Sequence, residues 1–429
     1  MNQTKKWALV MLGLLVSVAM VVSGCSGNKE GTASSTPPTE SDKTATSAPV
    51  TLTVRVGSWW EEKAPQIIEA YKQERPNVTL QIETLPINGY LDKALADVLG
   101  GNSPDVLDLD LWMLPALAGH DMLETWDDHI EGLDIDDFLP AVWDSSKIDG
   151  KLYGVPTRAE SNVFYYNKTM FDEANVAYPS EDWTWEDMLE MAGKITVPGE
   201  KYGLGIAVSL SDEANVTASF APILWSFGGD FLNQDNTEAA INSPEAVKAI
   251  TFFAELYTKE KVVPEGSLNF ALTKDVQPMF LNNQVAMFPT GSNILTTLQE
   301  NPQVQWGMVY GPNKSGKGTG WSFTIPTSAK HKEEAREFVL WYMKPENMGK
   351  FNPRSPARKS AYNMPPWDTE EVQYILSAAP YQRMTPPVAA WPEMQTVVVT
   401  ELQKVLSGIK TPQEGADDMA KQMNELLKK

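Results

Sequence analysis

From residue 50 onward the chain alternates between two hydrophobic periods, and that alternation limits the folds open to it. Val50, Leu52, Val54 and Val56 alternate with Thr51, Thr53 and Arg55, the period of two that marks a strand ending near Gly57. Ala64, Ile67, Ile68 and Tyr71 then recur at helical spacing, and Pro76 closes the helix. Val78, Leu80 and Ile82 predict a second strand. Leu91, Leu95, Val98 and Leu99 predict a second helix stopped by Gly100-Gly101, and Pro104 leads into a third strand at Asp105 to Asp110. The order βαβαβ predicts a parallel, doubly wound sheet with helices on both faces and ligand sites at the carboxyl ends of its strands. Further helices are expected after the N-cap signals Thr184-Trp185-Glu186-Asp187 and Ser243-Pro244. The apolar stripes Ala335, Phe338, Val339, Tyr342 and Ala416, Met419, Ala420, Met423 predict two more, facing a core.

The segment before residue 50 is of another kind. Lys5 and Lys6 precede an apolar stretch from Trp7 to Val22, and the small residues Ser23 and Gly24 precede Cys25, the pattern of an export signal. Val22-Ser23-Gly24-Cys25 resembles the bacterial lipobox, in which the signal is removed and the cysteine becomes a diacylated first residue. One acyl chain, at about 0.8 kcal/mol per buried methylene, binds a membrane marginally; two anchor it stably. An uncleaved transmembrane anchor is the alternative, since no charge falls between Lys6 and Lys29. Residues 26 to 49 are rich in Gly, Ser, Thr, Pro and Ala and predict a flexible tether.

Composition removes several function classes. A chain of 429 residues, 42% hydrophobic, is long enough for two domains with cores of their own. Its 35 basic against 56 acidic residues give a formal charge of -21, which repels phosphate backbones and argues against a nucleic-acid partner. One cysteine excludes an intramolecular disulfide and multi-cysteine metal sites. Three histidines, His120, His129 and His331, without an HExxH motif, offer little for a histidine metal centre. No metal and no cofactor is expected.

One stretch is more specific. Asp149-Gly150-Lys151-Leu152-Tyr153-Gly154-Val155-Pro156, followed by Phe164-Tyr165-Tyr166-Asn167-Lys168, resembles a signature segment of the extracellular solute-binding proteins of carbohydrate ABC importers, the maltose-binding-protein-like family. Pro104-Asp105-Val106 with Asp110, Gly228-Gly229, Ser243-Pro244-Glu245-Ala246 and Phe280 to Met287 leading to Gly291 fall in the family's order. The resemblance runs from about residue 50 to the C-terminus. It implies a two-lobe periplasmic-binding-protein-like α/β fold of class II type, each lobe a doubly wound sheet flanked by helices. The expected parts are a signal peptide over 1–24, a lipidated Cys25 and tether over 25–49, an N-terminal lobe of 50–157 plus 286–319, and a C-terminal lobe of 158–285 plus 320–429. Crossings between lobes are expected near Val155 to Ala159, Asn283 to Met287 and Gly320 to Phe323. The resemblance further implies a non-catalytic monomer on the outer face of the cell membrane that closes on a mono- or oligosaccharide and docks on ABC permease subunits.

Sugar recognition needs flat apolar faces for the C–H side of a pyranose and charged or amide groups for its hydroxyls. Trp59, Trp60 and Glu61 follow the first strand at its ligand-binding edge, with one tryptophan of the pair expected to cap the core; Asp110 and Trp112 end the third strand at the same edge. Arg158 and Glu160 follow the first crossing and are ligand contacts or an ion pair. Trp225, near Gly228, Gly229 and Asp230, is expected to form a second-lobe platform. Gly291 and Ser292 complete the set with Trp321 and Arg354. Asn293 stands where the family commonly has a tryptophan, and Trp321 is expected to replace it.

Two stretches mimic other sites. Gly311 to Lys317 matches G-x-x-x-x-G-K, but Gly318 stands where a phosphate-binding loop has Ser or Thr and a strand follows, so a hairpin loop is expected. The seven carboxylates from Glu124 to Asp137 lack the alternating calcium-loop pattern and are expected on a solvated face. Three other functions stay open: a cell-surface carbohydrate-active enzyme, a sugar sensor, and a binder of acidic sugars or phosphorylated polyols with Arg158 and Arg354 as anion clamps.

Overall fold

The computed structural model describes residues 49–86 and 89–428. The signal sequence, Cys25 and all of the tether before residue 49 lie outside the described residues. Among those described, no helix is long and apolar enough to cross a membrane.

The βαβαβ start forms as its pattern predicts. Strands Val50–Gly57, Val78–Leu85 and Val106–Asp110 alternate with helices Ala64–Glu74 and Tyr90–Leu99. The first strand pairs in parallel with both others, Leu52 opposite Leu80 and Val54 opposite Val106. Parallel pairing requires the crossover helices, whose buried faces (Ile67 and Tyr71; Ala94 and Val98) cover the sheet. Each such large side chain taken from water contributes about 1.5–3 kcal/mol.

Two strands from later in the chain complete this first sheet. Thr319–Thr324 lies antiparallel between Val106–Asp110 and Val155–Glu160, giving the order Val78–Leu85, Val50–Gly57, Val106–Asp110, Thr319–Thr324, Val155–Glu160. Helices Lys332–Tyr342 and Pro345–Phe351 pack into the same core through Phe338, Val339, Tyr342, Met348 and Phe351. The second sheet has the order Trp306–Val309, Val163–Asn167, Val285–Thr290, Tyr202–Leu204. Its core is built with helices Trp185–Ile195, Glu213–Ser226, Pro244–Thr258, Trp391–Leu406 and Pro412–Leu426. Thr184 and Asp187 close a capping box at the first of these helices, and the Ser243 side chain caps the third, each worth about 1 kcal/mol.

The chain therefore passes between the sheets three times, at Ser161-Asn162, in the segment from Tyr310 to Gly318, and between Phe351 and Tyr362. Two of the expected crossings are displaced. Val285–Thr290, expected to enter the first lobe, is an interior strand of the second sheet, hydrogen-bonded on both edges and buried along its whole length. Thr319–Thr324, expected in the second lobe from Gly320 on, belongs to the first sheet, and helices Lys332–Tyr342 and Pro345–Phe351, expected in that same lobe, pack into the first core. The Gly311–Lys317 segment is not a hairpin, because the strands flanking it lie in different sheets. Instead Gly316-Lys317 pairs in parallel with Gln382-Arg383. The acidic stretch is only partly a solvated face. Glu124 pairs with Lys332 and Arg336, and the Asp137 carboxylate accepts from Arg358 at 2.6 Å and from Ser360. Burial would raise Asp137, but those hydrogen bonds outweigh it and hold the carboxyl below its ordinary value.

A candidate solute-binding cleft

Register in the first sheet assembles one wall of a cleft. Trp321 lies directly opposite Asp110 on one side and Arg158 on the other, and Thr319 lies opposite Glu160. Residues two apart on a strand share a face, so these five side chains present to the same side. A bulge between Trp321 and Ser322 ends the regular pairing at this row. The row lies at the carboxyl ends of Val106–Asp110 and Val155–Glu160, the edge where open α/β sheets take ligands.

Trp59 joins them from the short turn Ser58–Trp60 that follows the first strand. Its ring lies over Gly57, where a Cβ would come within 2.1 Å of a ring carbon, so glycine is what admits the ring. Trp59 and Trp321 meet edge to face, centroids 4.5 Å apart at 78°. The Arg158 guanidinium sits 5.4 Å from one ring and 5.5 Å from the other, a cation–π arrangement that fixes all three. The opposite wall comes from the second half of the chain: Asn215 and Ala218 on helix Glu213–Ser226, Leu272 and Thr273, and Thr290, Gly291 and Asn293. Lys317 and Arg354, on the second and third passes, line it as well, and the cavity's volume is ≈ 230 Å³. A second hollow of ≈ 570 Å³ adjoins it across Trp112, Ala214 and Asn215.

The cleft holds unmet polar capacity. Arg158 Nε lies 3.2 Å from Glu160 Oε1, yet the two are misaligned for a hydrogen bond, and both atoms are buried without a hydrogen-bond partner. Trp321 Nε1 is buried and unpartnered too. Such groups are costly unless something supplies the missing bonds. Asp110 accepts from Thr319 Oγ1 at 3.1 Å and from the Trp112 N–H at 3.5 Å; burial raises its carboxyl above the ordinary value, while Lys317 and Arg158 pull it down. Burial lowers the Lys317 ammonium, with Asp110 opposing. Behind this wall, Asp108 is buried in the sheet, accepts from Trp60 Nε1 (3.1 Å) and Thr157 Oγ1 (3.2 Å), and is pushed up to about 7 by burial.

Of the residues singled out from sequence, the cleft brings together Trp59, Asp110, Trp112, Arg158, Glu160, Gly291, Asn293, Trp321 and Arg354. It does not include the others. Trp60 is 2% exposed and packs on Phe323 and Tyr342 in the first core. Glu61 is exposed, 3.4 Å from Thr84 Oγ1. Trp225 is not a platform of this cleft: its Nε1 is held by Asp230, its ring is covered by Arg383 at 4.7 Å, and Asp230 closes the triangle with an ion pair to Arg383. Those three groups satisfy one another at a separate hollow with Tyr381 and Lys314. The Ser292 hydroxyl bonds to that of Ser355. Sequence reasoning missed Lys317, Thr319, Asn162, Asn215, Thr273 and Thr290. Neutral polar residues are too common to be singled out one by one, and Lys317 sits in a segment whose sequence reads as a hairpin loop. Its one signal is a lone cation in Gly316-Lys317-Gly318, four residues before Trp321.

Known proteins share this architecture. The chain is similar to a binding protein of Brucella abortus, 25% identical over 390 residues, which cover 87% of this chain and 91% of that one. It is 22% identical over 333 residues to the mannitol-binding protein of Pseudomonas aeruginosa, covering 75% of this chain and 74% of the relative. A solved ABC transporter solute-binding protein from Thermotoga lettingae, bound with α-D-tagatose, superposes with a TM-score of 0.78 at 24% identity, covering 88% of this chain and 99% of that one; it matches the fold, two lobes about a cleft. A family model for bacterial extracellular solute-binding proteins matches residues 66–373. With that match spanning well over half of the sequence, the chain belongs to the bacterial extracellular solute-binding protein family.

Proposed function

We propose that this chain is the substrate-binding subunit of an ABC importer, that it captures a sugar or polyol between its two lobes without chemical change, and that lipid on Cys25 holds it at the outer membrane face. The observation that carries the solute class is the pairing, in one cleft, of tryptophan faces (Trp59, Trp321, Trp112) with buried unpartnered polar atoms on Arg158, Glu160 and Trp321. Aromatic faces take the C–H surface of a polyhydroxylated ligand, and the unpartnered donors and acceptor take its hydroxyls. The mannitol-binding relative supports the same class. The adjoining ≈ 570 Å³ hollow gives room for a solute longer than one ring.

Capture works by differential affinity. Wall residues come from both halves of the chain, so a solute makes its full set of contacts only when the halves are closed, and it shifts the open–closed equilibrium by that difference. The closed form is then the one the permease engages. Asp110 is tied to Thr319 and the Trp112 amide, and Glu160 lies against Arg158, an arrangement in keeping with binding.

A thermal-shift and tryptophan-fluorescence screen of the purified chain against mannitol, ribitol, tagatose and malto-oligosaccharides tests the reading. A solute that binds only the native state raises the melting temperature. The expected result is a saturable shift with one solute class and unchanged solute after prolonged incubation. Product formation would turn the assignment to an enzyme, and no shift with any member would end the carbohydrate reading.

A further inference from the structure

We propose that the solute this cleft takes carries an oxyanion, a phosphate or carboxylate group, gathered by Lys317, Arg158 and Arg354. The inference rests on the solute-binding reading above and narrows its substrate class.

Lys317 is the observation that points there. The residue is 5% exposed and lines the cleft, and among the described residues its ammonium has neither a hydrogen-bond acceptor nor an ion-pair partner. A buried cation is retained at such a place when something completes it. Asp110, the nearest compensating charge, is already fixed by Thr319 and the Trp112 amide. Arg354 is half-buried in the same cavity, and its guanidinium likewise pairs with no described carboxylate. Arg158 stacks on both tryptophans and keeps its Nε without a hydrogen bond. Three cations thus face two carboxylates, Asp110 and Glu160, leaving an excess of one positive charge inside a protein whose overall charge is -21. Burial raises Asp110, and the neighbouring Lys317 and Arg158 lower it in turn. Burial also lowers Lys317, a loss that an incoming anion reverses by favouring the ammonium.

The placement adds a consequence for closure. Arg158 stands two residues before the strand end that leads into the first pass between the sheets, Lys317 lies on the second pass, and Arg354 on the third. An oxyanion held by all three would bridge every connection between the lobes. Planar guanidinium groups suit the fork of a phosphate or carboxylate, and lysine adds a point charge.

The test is a comparison of matched pairs on the purified full chain: glycerol with glycerol 3-phosphate, mannitol with mannitol 1-phosphate, and glucose with glucuronate, titrated by tryptophan fluorescence. The expected result is that at least one anionic member binds at least tenfold more tightly than its neutral parent. Inorganic phosphate should compete with it. A preference confined to the phosphate pairs names phosphate, and one confined to glucuronate names carboxylate. Lys317→Met should lower the anion-to-parent affinity ratio at least tenfold, and Arg354→Gln should lower it as well. Neutral parents binding as tightly as their anions in every pair would overturn the inference and leave the solute-binding reading standing. So would a ratio unchanged in both variants. The comparison on the unmodified chain needs no variant to fold. Failure of every member to bind a cooperatively melting chain would overturn both readings.

Discussion

Removing the Trp59 ring should weaken solute binding by about 1–3 kcal/mol, the range of a buried aromatic anchor, or roughly 5- to 150-fold in affinity. The structure sets where in that range the loss should fall. The ring is half-buried in the free protein, and it touches Trp321 edge to face at 4.5 Å and Arg158 at 5.4 Å. The aromatic pair is worth about 0.5–1.5 kcal/mol and the cation–π contact about 0.5–2. Both contacts position Arg158 as well as stabilise the fold, so Trp59→Ala removes a ligand face and frees a guanidinium at once, and the upper half of the range is expected. Stability should fall by about 1–3 kcal/mol, the sum of those two contacts, with the ring at the rim of the first core. Gly57→Ala gives an independent check. Its backbone, at φ -71 and ψ 158, accepts alanine without strain, but the new Cβ would meet the Trp59 ring at 2.1–2.3 Å and must expel it. The two variants should therefore lose affinity together, read by isothermal titration with the best solute of the screen, while Trp225→Ala should stay within about twofold because its ring is held by Asp230 and Arg383 away from the cleft. Unchanged affinity in Trp59→Ala, or a larger loss in Trp225→Ala, would refute the placement of the site.

Asp108→Asn keeps the buried network, since the amide oxygen can accept from Trp60 and the amide N–H can donate to Thr157, whose own proton goes to the Trp321 carbonyl. With the folded carboxyl at about 7 and the unfolded one near its ordinary value of 3.8, the folded state binds the extra proton between those limits, and wild-type stability falls as pH rises through that window. The variant should lack this slope, so its melting temperature should gain on the wild type from pH 4 to 7, with roughly 4 kcal/mol as the ceiling at 1.4 kcal/mol per unit; parallel pH profiles would dismiss the buried charge. Labelled palmitate should be incorporated into the unmodified chain and not into Cys25→Ser, and a chain held at the membrane without incorporating label would favour the uncleaved anchor instead.

Much of the fold could be read before any coordinates. The period-two and helical stripes of residues 50 to 110 are local signals of burial, and the parallel sheet they predict is the one that forms. The N-caps at Thr184 and Ser243 are likewise local, because a side-chain oxygen meeting an N–H three residues on depends on little beyond the adjacent chain. Most of the expected contacts on the first sheet, Trp59, Asp110, Trp112, Arg158, Glu160 and Trp321, meet in one cleft because strand ends and crossings are where a sheet of this kind exposes its side chains.

Tertiary structure decided what local signals cannot carry. Nothing in Trp59-Trp60 says which ring turns inward; that follows from Asp108, 48 residues on, offering an acceptor to Trp60 Nε1. Trp225 resembled a platform until Arg383, far along the chain, covered it. Lys317 looked like part of a hairpin because its neighbours are strand-like, whereas the strands on either side belong to different sheets and carry it into the cleft between them. Sequence period reports whether a side chain is buried. Which distant groups share that burial is set by strand order and register, and in this protein those place three cations and two carboxylates around one space.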